Sequence, residues 1–256
     1  MSTRRVDLSS IKLSEAPHAH AELWLDRYMD DQDSKKRGDF IAKVSTIPTP
    51  EIYVTFYNRW TQMLHDLRAK MYPAHVKTRM IVGLGDESVL ETAITLHKTY
   101  GVPYIPGSAL KGLAASYARK RLGKDWQKGS DAYQVIFGNT DEAGYITFFD
   151  ALYIPGTGFN GKALYPDVMS VHHRDYYQNP AYLPADWDDP IPIPFLTATG
   201  NFMIALAAPE LDEQDAWIEK TFDILKYALL EMGVGAKTSS GYGRMELLPV
   251  QPPPSK

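Results

Sequence analysis

The chain has 256 residues, a formal net charge of −4 and 44% apolar residues, an ordinary share for a globular protein. It contains no cysteine, which excludes disulfides, thiolate zinc sites and cysteine nucleophiles. Its first residues lack the apolar segment of a signal peptide, and no stretch approaches the roughly 20 apolar residues that cross a bilayer, so we expect a cytoplasmic protein without a membrane partner.

Helices are predicted in the first part of the chain. Residues 20–31 fit a short helix, and apolar residues recur at helical spacing over residues 52–71. Pro73 is expected to end the second helix, because proline cannot continue it. The polar stretch 33–38 between the two helices is predicted to be a loop.

Strand patterns begin after Pro73. In residues 77–84 the side chains Thr78, Met80 and Val82 stand at alternate positions, and Gly83 and Gly85 mark the end of the segment. This pattern predicts a strand. Residues 92–96 fit either a second strand or a helix. Two further strands are predicted at residues 145–150 and 200–207.

Two amphipathic helices are predicted in the second half of the chain. One has Ser108 as its N-cap and runs to about Leu122, and the other covers residues 211–232 with Gly233 as its C-terminal cap. Residues 155–197 hold seven prolines and little periodicity, which predicts a long, ordered insertion rather than a core element. Because strands and helices mix without strict alternation, the sequence predicts an α+β fold.

Residues 233–244 form a glycine-rich segment with polar and cationic side chains. Four glycines, three hydroxyls, one lysine and one tyrosine share eleven positions, and Arg244 follows them. Glycine lets a partner approach the backbone closely, and N–H groups beside hydroxyls and cations hold phosphate oxygens. We predict an anion site here, with Lys237 and Arg244 supplying charge and Tyr242 a face on which a base stacks.

A nucleotide-binding P-loop is the first alternative for this segment, and its spacing fails. That motif requires glycine immediately before the lysine and again five positions earlier, where this chain has Ala236 and Glu231. The segment also follows a predicted helix instead of preceding one. An NTPase site is therefore not predicted.

A second anion segment is predicted at residues 106–111. It places a glycine and a serine at the start of a helix, where N–H groups are free, with Lys111 one turn further on. The alternative for both segments is a tight turn whose glycines serve the backbone alone. The stretch from Ser108 to Lys128 holds a single acid, Asp125, and six basic residues, namely Lys111, Arg119, Lys120, Arg121, Lys124 and Lys128.

Hydrolytic and metal sites find little support in the sequence. His172 and His173 lie near Asp167 and Asp175, and imidazole with carboxylate can bind a divalent ion or move protons. Adjacent histidines point in different directions on most backbones, however, and no third ligand has a recognisable spacing. No Gly-x-Ser-x-Gly elbow occurs either. We predict no catalytic residue and no metal site.

In its two glycine-containing segments the chain resembles the RAMP superfamily, the RNA-binding proteins of CRISPR effector complexes. Residues 104–112 are similar to a segment typical of that family, with Ala109 where a second serine is usual, and residues 233–244 resemble its C-terminal glycine-rich loop. Residues 167–177 and 190–196 are similar to the sixth subunit of the Cmr (type III-B) complex.

The resemblance implies an RRM-like (ferredoxin-like) core with insertions, of the RAMP backbone-subunit type. It implies one domain over residues 1–250, with the insertion at about 155–197 and a flexible tail at 251–256. It also implies a non-catalytic subunit without a cofactor that contacts guide RNA towards its 3′ end, target RNA, and other RAMP and small subunits of the complex. RNA contact is carried over to Gly107, Ser108, Lys111, Arg119, Lys237, Ser239, Ser240, Gly241, Tyr242 and Arg244.

Two alternatives stay open at this point. The chain fits a RAMP ribonuclease that processes guide precursor without metal, with His97 or His172 as the general base. It also fits a purely structural adaptor whose proline-rich insertion contacts other proteins.

Overall fold

The computed structural model contains one antiparallel sheet covered by helices and a separate two-stranded hairpin. It describes residues 11–13, 19–29, 34–86, 92–171, 191–209 and 216–249. The helices are α1 (Ala21–Arg27), α2 (Ser34–Val44), α3 (Glu51–Asp66), α4 (Gly107–Arg121), α5 (Asp131–Phe137) and α6 (Ala216–Glu231). The strands are β1 (Lys70–Val76), β2 (Tyr104–Ile105), β3 (Thr147–Phe148), β4 (Ala151–Tyr153), β5 (Leu164–Val171), β6 (Ile191–Ala198), β7 (Asn201–Ala207) and β8 (Met245–Leu247).

Four of the strands and two of the helices follow one another as a βαββαβ unit, namely β1, α4, β4, β7, α6 and β8. In the sheet these strands lie in the order β4–β7–β1–β8, and each neighbouring pair is antiparallel. Strand β2 extends the sheet beside β4, and β3 pairs with β7. The order and directions are those of a ferredoxin-like sheet, which confirms the predicted α+β fold with an RRM-like core and insertions.

The main core lies between this sheet and the helices α4 and α6. Leu110 and Ala114 of α4 lie four positions apart, as do Leu225 and Leu229 of α6, and all four side chains are fully buried. They belong to the same apolar cluster as Ile204 of β7. Burying one leucine side chain contributes about 1.5–3 kcal/mol, so these helical faces hold both helices on the sheet.

The N-terminal helices differ in part from the prediction. Helix α1 agrees with it, but α2 begins at Ser34, so the predicted loop over residues 33–38 is wrong for its described part. Ile41 and Val44 are buried in a second apolar cluster, and this burial stabilises a helix whose first turns are polar. Helix α3 ends at Asp66, five residues earlier than predicted.

Strand β1 begins where the sequence predicts the end of a helix. Pro73 lies inside β1 and pairs in register with Met203, so it does not terminate α3. Its carbonyl accepts the Leu248 N–H (2.8 Å), just beyond the last β1–β8 pair, so the missing proline donor faces the end of β8. The strands predicted at 77–84 and 92–96 are wrong, since each segment forms only an isolated bridge.

The later elements agree better with the sequence. Strand β7 confirms the predicted strand at 200–207, whereas only β3 forms within the predicted strand at 145–150. Helix α6 confirms the helix predicted before the glycine-rich loop, and Gly233 donates its N–H to the Ala228 carbonyl (3.0 Å) as a C-terminal cap does. Among the described helices, none is long and apolar enough to span a bilayer.

Within the region predicted as an insertion, β5 and β6 form a hairpin between the core strands β4 and β7. Its register runs from Leu164↔Ala198 to Val171↔Ile191. The hairpin is separate from the six-stranded sheet, and its Leu164 and Leu196 are buried in the second apolar cluster. The predicted His172, His173 and Asp175 lie outside the described residues, as does the tail at 251–256.

Candidate nucleic-acid interface

The glycine-rich loop, residues 233–244, folds back on the segment that follows β1. The Ala236 N–H donates to the Ile81 carbonyl (2.8 Å), and the Gly243 N–H donates to the Arg79 carbonyl (2.8 Å). A third bond joins the loop to itself, from the Val234 N–H to the Gly243 carbonyl (2.9 Å). Backbone hydrogen bonds therefore hold the loop at the end of the sheet where β1 finishes.

This docking requires glycine at two of the loop positions. Gly235 and Gly243 have φ of +88° and +70°, and an added Cβ would lie 2.0 Å from the Ile81 oxygen and 1.9 Å from the Val234 oxygen, respectively. Gly241 also has positive φ (+88°), but nothing lies within 4 Å of an added Cβ there. The alternative reading, in which the glycines serve only the backbone of a tight turn, thus explains Gly235 and Gly243. It does not explain the open space beside Gly241.

The polar side chains at the tip of the loop are exposed. Lys237 has a left-handed backbone (φ 55°) and precedes the short 3-10 turn Thr238–Ser240, in which Ser239 and Ser240 are also exposed. Arg244 is half-buried, and its guanidinium donates to the Leu230 carbonyl at the end of α6 (3.1 Å). The tip therefore presents one cation and two hydroxyls to solvent.

Tyr242 connects the loop to the inserted hairpin. Its hydroxyl donates to Asp167 Oδ2 (2.7 Å), and the same carboxylate forms an ion pair with Arg79. The Tyr242 ring lies beside Phe195 (6.1 Å between centroids), and the Arg79 guanidinium lies over the Tyr165 ring (4.7 Å). Tyr242, predicted as a stacking face for a base, is thus half-buried and its hydroxyl is used within the protein.

The ionisation states of these groups follow from their contacts. Burial favours the neutral form of Asp167, but hydrogen bonds from Arg79, Tyr242 and the Val168 N–H outweigh burial and lower the pKa of the carboxyl. Burial, together with the hydrogen bond to Asp167, raises the pKa of Tyr242 to about 12. At neutral pH the network therefore consists of a charged pair and a neutral tyrosine.

A cleft of about 640 Å³ opens beside the loop, at the same end of the sheet. Its walls are formed by the end of β1 and the residues after it, by Thr199 and Gly200 between β6 and β7, by residues 157–159 at the start of the 3-10 turn, and by strand β5. Ser240, Gly241 and Tyr242 of the loop line it, together with Arg79, Asp167, Tyr165, Phe159 and Lys77. The cleft thus combines aromatic rings, hydroxyls and cations.

The predicted anion segment at the start of α4 is arranged differently from the prediction. Pro106, not Ser108, is the N-cap residue, and no side chain of the cap bonds to the helix. The Gly107 N–H donates to Asp150 Oδ1 (2.7 Å), so this group is not free for a phosphate. Ser108 is exposed and Lys111 is half-buried. A carboxylate already occupies the position at which the sequence predicts an anion.

The two predicted anion segments lie at opposite ends of the β1–β7 ladder. The start of α4 packs against Phe148, which pairs with Leu206 at one end of that ladder. The glycine-rich loop lies beyond the other end, where His75 pairs with Asn201. At a rise of about 3.3 Å per residue the two ends are roughly 17 Å apart. The structure does not bring these segments together.

Arg119 lies in the last turn of α4, well away from Gly107. It is exposed, and its guanidinium donates to the Tyr133 hydroxyl (3.1 Å). The neighbouring Arg121 lies 3.8 Å from Glu231 in the last turn of α6, directly before the glycine-rich loop. Of the basic residues on α4, those in its last turn are therefore closest to the loop.

Comparison with known proteins decides the family. The sequence matches the family described as the RAMP superfamily over residues 74–246, which includes most of the sheet, the cleft and the whole glycine-rich loop. The chain belongs to the RAMP superfamily. The resemblance inferred from the two glycine-containing segments is confirmed.

Relatives of this RAMP protein carry more specific names. It is 33% identical to the CRISPR system Cmr subunit Cmr6 of Pyrococcus furiosus, over 76% of this chain and 73% of that protein. It is 27% identical to the Cmr6 subunit of Saccharolobus solfataricus, over 68% of this chain and 56% of that protein. A chain in the cryo-EM structure of a type III-B Cmr-beta complex bound to cognate target RNA shares the fold, with a TM-score of 0.65 at 18% identity over 96% of this chain and 94% of that chain.

Of the two histidines considered as a general base, His97 lies within the described residues and His172 does not. His97, the described histidine considered as a general base, packs among the rings of Phe56, Tyr100 and Tyr104. Its Nδ1 accepts the Thr99 N–H (3.2 Å), and burial lowers its pKa. Within the described parts of the chain, no group of three or more His, Asp or Glu side chains could hold a metal ion.

Among the cleft residues that were not predicted from the sequence are Arg79, Phe159 and Tyr165. Phe159 stands between glycines in residues 156–161, and an aromatic residue in such a turn is a signal that the sequence did offer. Arg79 and Tyr165 carry no comparable signal, because only the fold brings β5 beside the end of β1. Asp167 was considered as a metal ligand, and it is bonded to Arg79 and Tyr242 instead.

Proposed function

We propose that this chain is a Cmr6-type RNA-binding subunit of a type III-B CRISPR RNA-guided complex. In this proposal it contacts guide RNA towards the 3′ end, lies near target RNA, and packs against neighbouring RAMP and small subunits. The observation that carries the proposal is the glycine-rich loop, fixed by backbone hydrogen bonds to residues 79–81, with Lys237, Ser239 and Ser240 exposed.

A loop of this kind suits the sugar-phosphate backbone of single-stranded RNA. Lys237 supplies a charge without an ion pair in the described structure, and the two serine hydroxyls donate to phosphate oxygens at short range. Because the loop is already fixed by hydrogen bonds to residues 79–81, binding orders few additional groups. The expected result is contact with RNA that depends on salt but little on sequence.

We also propose that the chain holds RNA and does not cut it. The contacts of His97 support this, because a half-buried imidazole among aromatic rings is poorly placed to reach a ribose hydroxyl. Incubation of the purified chain with repeat RNA in the absence of metal is expected to leave the RNA intact. Cleavage that a single histidine substitution abolishes would show the ribonuclease alternative instead.

The direct experiment removes the charge of the loop. The double substitution Lys237→Ala and Arg244→Ala is expected to weaken retention of guide RNA in the assembled complex. The matched control is Lys43→Ala with Arg59→Ala, which removes two exposed cations from the N-terminal helices α2 and α3. Unchanged RNA occupancy in the loop variant, with normal assembly, would contradict the proposal.

A further inference from the structure

We infer that the cleft beside the glycine-rich loop holds one unpaired nucleotide of the bound RNA, with its base stacked on Phe159. This inference rests on the proposed function and adds a defined subsite to it. The site joins three elements that lie far apart in the sequence, namely the end of β1, the turn Phe159–Gly161 and the loop tip.

Phe159 is an exposed aromatic ring on a fixed turn. The residue is 58% exposed, and its ring meets that of Tyr165 at right angles (5.3 Å between centroids). The Phe159 N–H donates to Thr199 Oγ1 (3.1 Å), and the preceding Gly158 N–H donates to the Tyr153 hydroxyl (2.8 Å). A large apolar ring held in solvent by buried neighbours is a ready stacking surface, because little conformational freedom is lost when a base covers it.

Other residues that line the cleft offer hydrogen-bond donors for the rest of a nucleotide. Ser240 is exposed, and its hydroxyl forms no hydrogen bond within the described residues. The Lys77 side chain is 47% exposed and lies 4.0 Å from Glu246, a long contact that leaves its ammonium accessible. Gly241 adds a stretch of backbone without a side chain. These groups suit a phosphate and a ribose, while the ring of Phe159 suits a base.

The size of the cleft limits what can enter it. A volume of about 640 Å³ lies within the range of roughly 300–1,000 Å³ typical of small-ligand sites, which suits a single nucleotide. A paired and stacked base offers no free face to a protein ring, so the nucleotide has to be unpaired. The contacts named here distinguish no particular base, because every base has a face that stacks.

The test uses the complex assembled from all its subunits, with Phe159→Ala and Phe159→Tyr variants of this chain. Loss of the ring is expected to raise the dissociation constant for guide RNA by about 5- to 150-fold, the range measured for single base–aromatic stacks. Phe159→Tyr retains a stacking ring and is expected to bind within about threefold of the wild type. The control is Tyr227→Ala, which removes a ring of similar exposure (47%) from the outer face of α6 and is expected to leave RNA affinity unchanged.

Crosslinking with 4-thiouridine in the guide RNA separates the failure of this inference from that of the proposed function. Crosslinks to Phe159 or Tyr165 are expected. Crosslinks to Lys237 or Ser239 without any to Phe159 or Tyr165, together with normal affinity of Phe159→Ala, would overturn the nucleotide site alone. Release of a neighbouring subunit by Phe159→Ala at unchanged RNA affinity would show that the cleft binds protein. Absence of crosslinks anywhere in the chain would overturn the proposed function itself.

Discussion

Gly241 and Gly243 both lie in the glycine-rich loop but differ in what an added side chain would meet, so the same substitution can be compared at the two positions. Both have positive φ, so alanine costs about 1–2 kcal/mol at either position. At Gly243 the new Cβ also meets the Val234 oxygen at 1.9 Å, and such overpacking adds about 1–3 kcal/mol. In urea unfolding of the purified chain, Gly243→Ala is therefore expected to be clearly less stable than Gly241→Ala. An equal loss of unfolding free energy in the two variants would show that the loop does not dock on the segment after β1.

Asp167 is the residue whose pH dependence tests the link between hairpin and loop. Its pKa in the folded protein lies below the ordinary value of 3.8, so its stabilising contribution is complete above that value and is lost as pH falls through the folded pKa. At pH 7, Asp167→Asn is expected to lower the free energy of unfolding by about 1.5–3 kcal/mol, because hydrogen bonds to a charged group are lost. The difference from the wild type should shrink below pH of about 4.

The control for this measurement is Asp223→Asn, which changes an exposed carboxylate on α6. It is expected to alter the free energy of unfolding by less than about 0.5 kcal/mol, both at pH 7 and below pH of about 4. A difference between Asp167→Asn and the wild type that stays constant down to pH 2 would contradict the Arg79–Asp167–Tyr242 network.

Among the elements, the start of α4 shows how a local motif can mislead. The sequence offers Ser108 as an N-cap, yet the observed partner of the first N–H group is Asp150, 43 positions away. Asp150→Ala is expected to cost about 1 kcal/mol in urea unfolding, whereas Ser108→Ala is expected to change stability by less than about 0.5 kcal/mol. A larger loss of stability for Ser108→Ala than for Asp150→Ala would show that Ser108 is the N-cap after all.

The sequence predicts elements well where periodicity and burial coincide, as in α6 and β7. It fails where tertiary contacts decide the outcome. Helix α2 starts in a polar stretch because Ile41 and Val44 further along are buried, and β1 contains Pro73 because β8 ends beside it. Neither fact can be derived from a local window, because each depends on a partner distant in the sequence.

At the scale of the whole molecule, the same distinction applies to the candidate site. The glycine-rich loop was predictable from its composition, and so was the family, because two spaced motifs and the insertion agree. The cleft was not, since Arg79, Phe159 and Tyr165 meet only through the fold. The separation of the two anion segments was equally hidden, because it depends on the direction in which α4 leaves the sheet.

The measurement that tests the central claim most directly is the salt dependence of guide RNA binding by the assembled complex. Each phosphate contact with single-stranded nucleic acid contributes about 0.7 to the slope of log affinity against log salt. If Lys237 and Arg244 both contact phosphate, the double alanine variant should bind more weakly, and its slope should be smaller by about 1.4 than that of the wild type and of the Lys43→Ala, Arg59→Ala control. An unchanged slope with unchanged affinity would contradict the claim that this loop holds RNA.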